Sequence, residues 1–138
     1  MMSIIKEGIL ALDNGLISFG NYEAVDKMKI DDFACAGDIY KVRTHREVTR
    51  LECNGKLLIE AVPGATMHEM SISDKQICFI AEGIEGTQVT MELEAEKEYR
   101  LSVDGVNVGN MKTNRSGKVT FNLELGNNAK EVKIDKLS

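Results

Sequence analysis

Hydrophobic and polar residues alternate with a period of two through much of this chain, most clearly from Gln88 to Leu125. Val89, Met91 and Leu93 alternate with Thr90, Glu92 and Glu94. Val119, Phe121, Leu123 and Leu125 alternate with Thr120, Asn122 and Glu124. Successive side chains of a strand point to opposite faces, so this pattern describes strands with one face on a core and one in water. Between the two runs, Asp104-Gly105 marks a two-residue hairpin, because a type I′ turn needs positive φ at both central positions. Counting outward pairs Val103 with Val106, Leu101 with Val108 and Tyr99 with Asn110 on a mostly apolar face. Ser102 with Asn107 and Arg100 with Gly109 make the polar face. Thr113 to Gly117 is a turn cluster. Three or four antiparallel strands are expected here, with the rest of the chain packed against them.

The remainder reads as further short strands. Ile4 to Leu12 is open between strand and short helix, and Asn14-Gly15 turns the chain. Leu16 to Tyr22 reads as a strand with Gly20 at a bulge or close approach. Glu23 to Phe33 is charged and reads as a loop or weak helix. After Gly37-Asp38, the segment IYKVRTHREVTRLEC holds two strands broken near His45 to Glu47. Asn54-Gly55 is a second hairpin signal, pairing Cys53 with Lys56, Glu52 with Leu57, Leu51 with Leu58, Arg50 with Ile59 and Thr49 with Glu60. Pro63-Gly64 ends the return strand. Ala65 to Ser73 alternates loosely, Asp74-Lys75 leads into ICFIA, and Gly83 to Gly86 turns again. Glu131 to Leu137 closes the chain with Val132 and Ile134 on one face. About nine or ten short strands with turn signals between them predict an all-β antiparallel β-sandwich or jelly roll. No linker or composition shift divides it, so residues 1–138 are expected to be a single domain.

Two strands are apolar on both sides. In KLLIEAV, Leu57, Ile59 and Ala61 oppose Leu58 and Val62; in ICFIA, Ile77, Phe79 and Ala81 oppose Cys78 and Ile80. Such strands need cover on both faces, whereas a sandwich buries only one face of each sheet. A second copy of the chain would supply it. A homo-oligomer, dimer or trimer, is therefore expected, with Leu57, Leu58, Ile59, Val62, Ile77, Phe79 and Ile80 at its interface. The competing expectation is that Glu23 to Phe33 provides the cover.

Composition narrows the function classes. The net charge is −5 and the pI near 5.1, with acids and bases interspersed, opposite to a nucleic-acid footprint. Glu7 interrupts the apolar start, and Asp13-Asn14 ends it where a signal peptide would carry small residues. No apolar run approaches the roughly 20 residues of a membrane helix. Cys35, Cys53 and Cys78 are odd in number and widely spaced, which reads as free thiols in a reducing cytoplasm.

Candidate chemistry centres on Lys41, Arg43, His45, Arg46 and Arg50. Lys41, Arg43 and His45 project together from an extended strand, and guanidinium groups suit carboxylate or phosphate oxygens. An anion site for an acidic sugar, phosphate or partner carboxylate is one reading. The preferred one is a polar strand face paired with Glu47, Glu52 and Glu60. His68 and Glu69 point to opposite faces of a strand and do not cooperate. Cys53 and Cys78 read as small hydrophobes. No metal set, no cofactor, no glycine-rich phosphate loop and no Gly-x-Ser-x-Gly elbow is read. Two histidines far apart are thin support for a cupin-type enzyme. Tryptophan is absent and aromatics are 5%, which discourages a lectin reading.

The stretches IIKEGIL-x-x-DNGLI-x-FGNY, GD-x-YKV-x-TH-x-EVTRLE-x-NGKLL-x-E-x-VPG and VNVG-x-MK-x-N resemble a group of small bacterial proteins of about this length, labelled endosialidase or adhesin. The resemblance covers nearly the whole chain. A sialidase label implies a propeller, which at six blades needs roughly 240 residues. The repeated Ser-x-Asp-x-Gly-x-x-Trp boxes of sialidases do not occur here, so no catalytic residue is carried over. Tyr99 to Leu125 is also similar to the accessory β-sandwiches that follow catalytic domains in glycoside hydrolases. The leading expectation is a non-enzymatic cytoplasmic protein acting through homo-oligomeric assembly or partner binding. The alternative is a carbohydrate-related module or enzyme that binds an acidic sugar along residues 41–50.

Overall fold

The structure is a computed structural model that describes residues 4–126 and 128–137. Thirteen strands and no helix occur among the described residues. They are β1 (Ile9–Ala11), β2 (Ile17–Phe19), β3 (Met28–Cys35), β4 (Asp38–His45), β5 (Val48–Cys53), β6 (Lys56–Val62), β7 (Thr66–Ile72), β8 (Gln76–Glu82), β9 (Thr87–Glu92), β10 (Glu98–Val103), β11 (Val106–Lys112), β12 (Lys118–Leu123) and β13 (Lys130–Lys136). A seven-stranded sheet has the order β1-β2-β7-β8-β13-β10-β11, and a six-stranded sheet the order β12-β9-β6-β5-β4-β3. All pairings are antiparallel.

The period-two pattern explains the layering. Val42, Leu51, Ile59, Val89, Met91 and Phe121 of the six-stranded sheet share one buried cluster with Phe19, Met67, Phe79, Tyr99, Val132 and Ile134 of the other. The result is a sandwich-like pair of sheets. Fully burying each large apolar side chain contributes about 1.5–3 kcal/mol, and every strand except the edge strands β3 and β11 supplies members of this cluster.

The chain crosses between sheets repeatedly, and its backbone polar groups must be satisfied at each crossing. At one end, the β2–β3 and β6–β7 crossings meet over two buried hydroxyls. Thr44 and Thr49 are 0% and 1% exposed, and their Oγ1 atoms lie 2.8 Å apart. Thr44 Oγ1 accepts the Asn21 N–H at 2.9 Å, and Thr49 Oγ1 accepts the Ala65 N–H at 3.2 Å. The two crossings touch: a Cβ on Gly20 would lie 2.3 Å from the Ala65 carbonyl oxygen, and Gly20 has φ +105°. A Cβ on Gly64 would lie 2.2 Å from the His45 carbonyl oxygen. At the opposite end Thr113 does the same work. Its hydroxyl donates to the Glu94 carbonyl at 2.6 Å and accepts the Lys97 N–H at 2.9 Å, tying the β9–β10 crossing to the β11–β12 crossing.

Several expectations need correction. The strands exceed nine or ten, and one of the additional ones is β3: Glu23 to Phe33, read as loop or weak helix, contains most of it. Its alternation is hidden by a bulge: Ile30 pairs Val42 and Phe33 pairs Tyr40, leaving Asp31 and Asp32 opposite one residue, with Asp32 at φ +53°. The Gln88–Leu125 stretch is not one meander. β9 and β12 belong to the six-stranded sheet, β10 and β11 to the other. Both hairpins turn where expected, at Asn54-Gly55 and Asp104-Gly105, yet each register slips by one through a bulge. Leu51 pairs Ile59 and Glu52 pairs Leu57, so Leu58 is the extra residue. Leu101 pairs Gly109 and Ser102 pairs Asn107, so Val108 is extra and stands 56% exposed.

The bulge at Leu58 also reassigns the expected interface. Ile59, Ile77 and Phe79 point into the core, and Leu58 packs against it. Leu57 and Val62 face outward from the six-stranded sheet, and Ile80 faces outward from the other. The seven residues therefore do not form one surface. Glu23 to Phe33 does not cover them either, since β3 is the far edge strand of its sheet.

The crossing geometry makes a stability prediction. Gly20→Ala should cost about 2–4 kcal/mol, through positive φ and carbonyl overlap together. Gly55→Ala, at φ +84° with nothing near its Cβ, should cost only about 1–2 kcal/mol. Urea unfolding of both variants measures the difference, and equal losses would refute the close approach as the cause.

Candidate functional site

Strand β4 presents Tyr40, Val42 and Thr44 to the core, so Lys41, Arg43 and His45 lie together on the outer face, as their spacing requires. Arg43 pairs in register with Arg50 of β5, and Lys41 with Glu52. Arg46 sits in the β4–β5 turn, where its backbone is held by Ala24 and Gly64 and its side chain is exposed. The two strand guanidinium groups are occupied. Arg43 binds Asp31 at 2.9 Å, and Arg50 binds Glu60 at 2.9 Å and Glu52 at 3.4 Å. Partial burial opposes the Arg50 charge, but the Glu60 and Glu52 contacts outweigh it and hold the guanidinium more firmly protonated than usual. Asp31 is the partner that sequence reading missed, because the bulge that aims it at Arg43 lies in a segment read as a loop.

A second cluster lies where the β2–β3 crossing passes β7 and β8. Glu82 shares its carboxylate between two groups: Oε1 is 3.0 Å from His68 Nε2, and Oε2 accepts the Tyr22 hydroxyl at 3.3 Å. Burial, and then the Glu82 charge, push the Tyr22 phenol above its ordinary pKa. Next to it, the Thr66 hydroxyl donates to the Gly20 carbonyl at 2.9 Å. The partner of His68 is therefore Glu82 and not its neighbour Glu69, which is exposed. The cluster clasps the crossing onto the sheet. The only signal for it in the sequence was the β7–β8 register, which a bulge between His68 and Ser71 obscures.

The three cysteines are free and partly buried. Burial and then Asp38 push the Cys53 thiol above its usual pKa, against a hydrogen bond with Tyr40, which is the reverse of a reactive thiolate. Among the described residues no group of three metal-ligating side chains gathers, and no helix is long and apolar enough to cross a membrane.

The sheet edges differ more than the faces do. β1 is three residues long. β3 carries the Asp31–Asp32 bulge, and β11 the bulge at Val108 with Gly109 at φ +149°. Short length, charge and bulges all blunt an edge against strand addition. β12 is six residues long, carries no bulge, and is charged only at its first residue, Lys118. It pairs with β9 through six unbroken positions, from Lys118 with Glu92 to Leu123 with Thr87. The Leu93 N–H donates to the Gly117 carbonyl at 2.7 Å, so by alternation Val119, Phe121 and Leu123 bond to β9. The peptide groups of Lys118, Thr120 and Asn122 turn outward. Asn114 takes up those of Lys118. Those of Thr120 and Asn122 have no partner among the described residues.

No family model, curated protein or solved structure matches this chain.

Burial sets a pH dependence. Tyr40 is pushed well above the ordinary phenol value of 10.0, first by burial and then by Cys53 and Asp38; Tyr22 is raised as well. A folded-state pKa above the unfolded one gives stability that is complete below the unfolded pKa and is lost as pH rises past it. Stability should begin to fall at about pH 8.5, where the unfolded Cys53 thiol ionises, and fall more steeply above about pH 9.5 as the unfolded phenols ionise. Tyr40→Phe should flatten that fall in urea unfolding measured across the alkaline range. A slope unchanged by the substitution would place the alkaline loss elsewhere.

Proposed function

We propose that this protein is a non-enzymatic cytoplasmic module that works by strand addition at the β12 edge of its six-stranded sheet, joining another chain to itself. One observation carries the reading: β12 is regular and uncharged along its middle, and its outward peptide groups at Thr120 and Asn122 have no partner among the described residues. Such an edge is a template for pairing, whereas the other edges are shortened, bulged or charged. The engagement of Arg43 and Arg50 by carboxylates of the same sheet weighs against the acidic-sugar alternative at Lys41, Arg43, His45, Arg46 and Arg50. Free cysteines are in keeping with a reducing compartment.

Native mass spectrometry of protein purified gently from its own cells tests the assembly. The expected result at micromolar concentration is a mass above that of one chain. Asn122→Pro should return the single-chain mass. Its lost N–H points away from β9, so the β9–β12 ladder and the unfolding midpoint should survive. A wild-type protein found only as a bare single chain would overturn the proposal.

A further inference from the structure

We infer that the strand added at β12 is β12 of a second copy, antiparallel about a two-fold axis through Phe121. This rests on the assembly reading above and names its partner. The segment KVTFNLE is self-complementary about that axis. Lys118 meets Glu124 of the second copy, Val119 meets Leu123, Thr120 meets Asn122, and Phe121 meets its own counterpart. The same patch thus serves both subunits, as a two-fold interface requires.

Three features converge on this register. First, Thr120 and Asn122 are the positions whose N–H and C=O groups point outward, so the register makes them mutual hydrogen-bonded pairs on either side of the axis. Second, Lys118 and Glu124 are both exposed and neither forms an ion pair among the described residues. Moving the axis one residue either way sets Lys118 opposite Asn122 or Gly126, and the charge pair is lost. Only the Phe121 axis matches the charges at both flanks. Third, Val119 and Phe121, at 9% and 8%, are the most exposed members of the core cluster. Pairing lays a second chain along them and joins the two sheets edge to edge. Because Asn114 already holds the Lys118 backbone, the backbone alone gives little choice of register, and the flanking charges set it.

Charge reversal tests the register. The dimer dissociation constant is measured by sedimentation equilibrium for wild type, Lys118→Glu, Glu124→Lys and the double variant. Each single reversal should weaken the dimer about tenfold, because like charges then face each other at both flanks, and the double variant should return to within about threefold of wild type. Mixing the two single variants should give a heterodimer tighter than either homodimer, since every flank is then an opposite pair. Both positions are exposed, so unfolding midpoints should stay unchanged and report folding separately. A dimer indifferent to all three variants, or one not restored in the double, overturns this interface while leaving assembly itself standing. A wild-type monomer overturns both readings.

Discussion

The contact on which the structure depends is the meeting of two sheet-crossing loops over the Thr44–Thr49 pair. A chain that passes from one sheet to the other must leave the ladder, and its amide groups lose their partners just where the core begins. Burying one unpaired costs about 1–3 kcal/mol. Here the Thr44 and Thr49 hydroxyls stand inside the core and take the Asn21 and Ala65 amides. Loops held this low touch each other at Gly20, whose Cβ would meet the Ala65 carbonyl oxygen, and the β6–β7 crossing rests on the end of β4 at Gly64, whose Cβ would meet the His45 carbonyl oxygen. The Tyr22–Glu82–His68 clasp follows from the same descent, because it is where the β2–β3 crossing leans on β7 and β8. Thr113 and Gly117 repeat the device at the far end, where a Gly117 Cβ would meet the Leu93 carbonyl oxygen.

Ends closed so firmly leave the edges as the places where the fold is incomplete. An antiparallel sheet always has two, and their outward peptide groups are satisfied by water or by another strand. Bulges decide which edges stay available. At Asp31–Asp32 and at Val108 the extra residue breaks the regular spacing that a partner strand needs. β12 keeps that spacing because its register with β9 runs without interruption.

The same bulges mark the limit of what the sequence discloses. Turns were legible, because Asn54-Gly55 and Asp104-Gly105 satisfy a local requirement for positive φ. Regular strands were legible too: Val119, Phe121, Leu123, Val132 and Ile134 are buried as their alternation requires. What failed was counting across a bulge, since one extra residue sends every later side chain to the opposite face. That is why Leu57 faces out while Ile59 faces in, and why Val108 is in water. The placing of Lys41, Arg43 and His45 on one face was legible because β4 itself runs unbroken through them. The occupation of Arg43 by Asp31 was not, because that carboxylate depends on a bulge in β3. The division of Gln88–Leu125 between two sheets was beyond reach for another reason: alternation shows that a strand has a buried face and says nothing of which sheet it joins.

The apolar two-sidedness that first pointed to an oligomer thus has a different physical source. In KLLIEAV it is the record of a bulge: Leu58 turns back to the core, and only Leu57 and Val62 remain outside. The case for assembly passes from side chains on a face to peptide groups on an edge. That transfer changes the kind of interface to expect. A face buries side chains and gains by area, whereas an edge gains by hydrogen bonds whose geometry fixes strand direction and parity but leaves sliding by two residues open. An interface of that kind needs a second code to choose among registers. In β12 the charges that flank it, Lys118 and Glu124, are suited to be that code because both stand in water on the outer face, where a mismatch costs the monomer nothing.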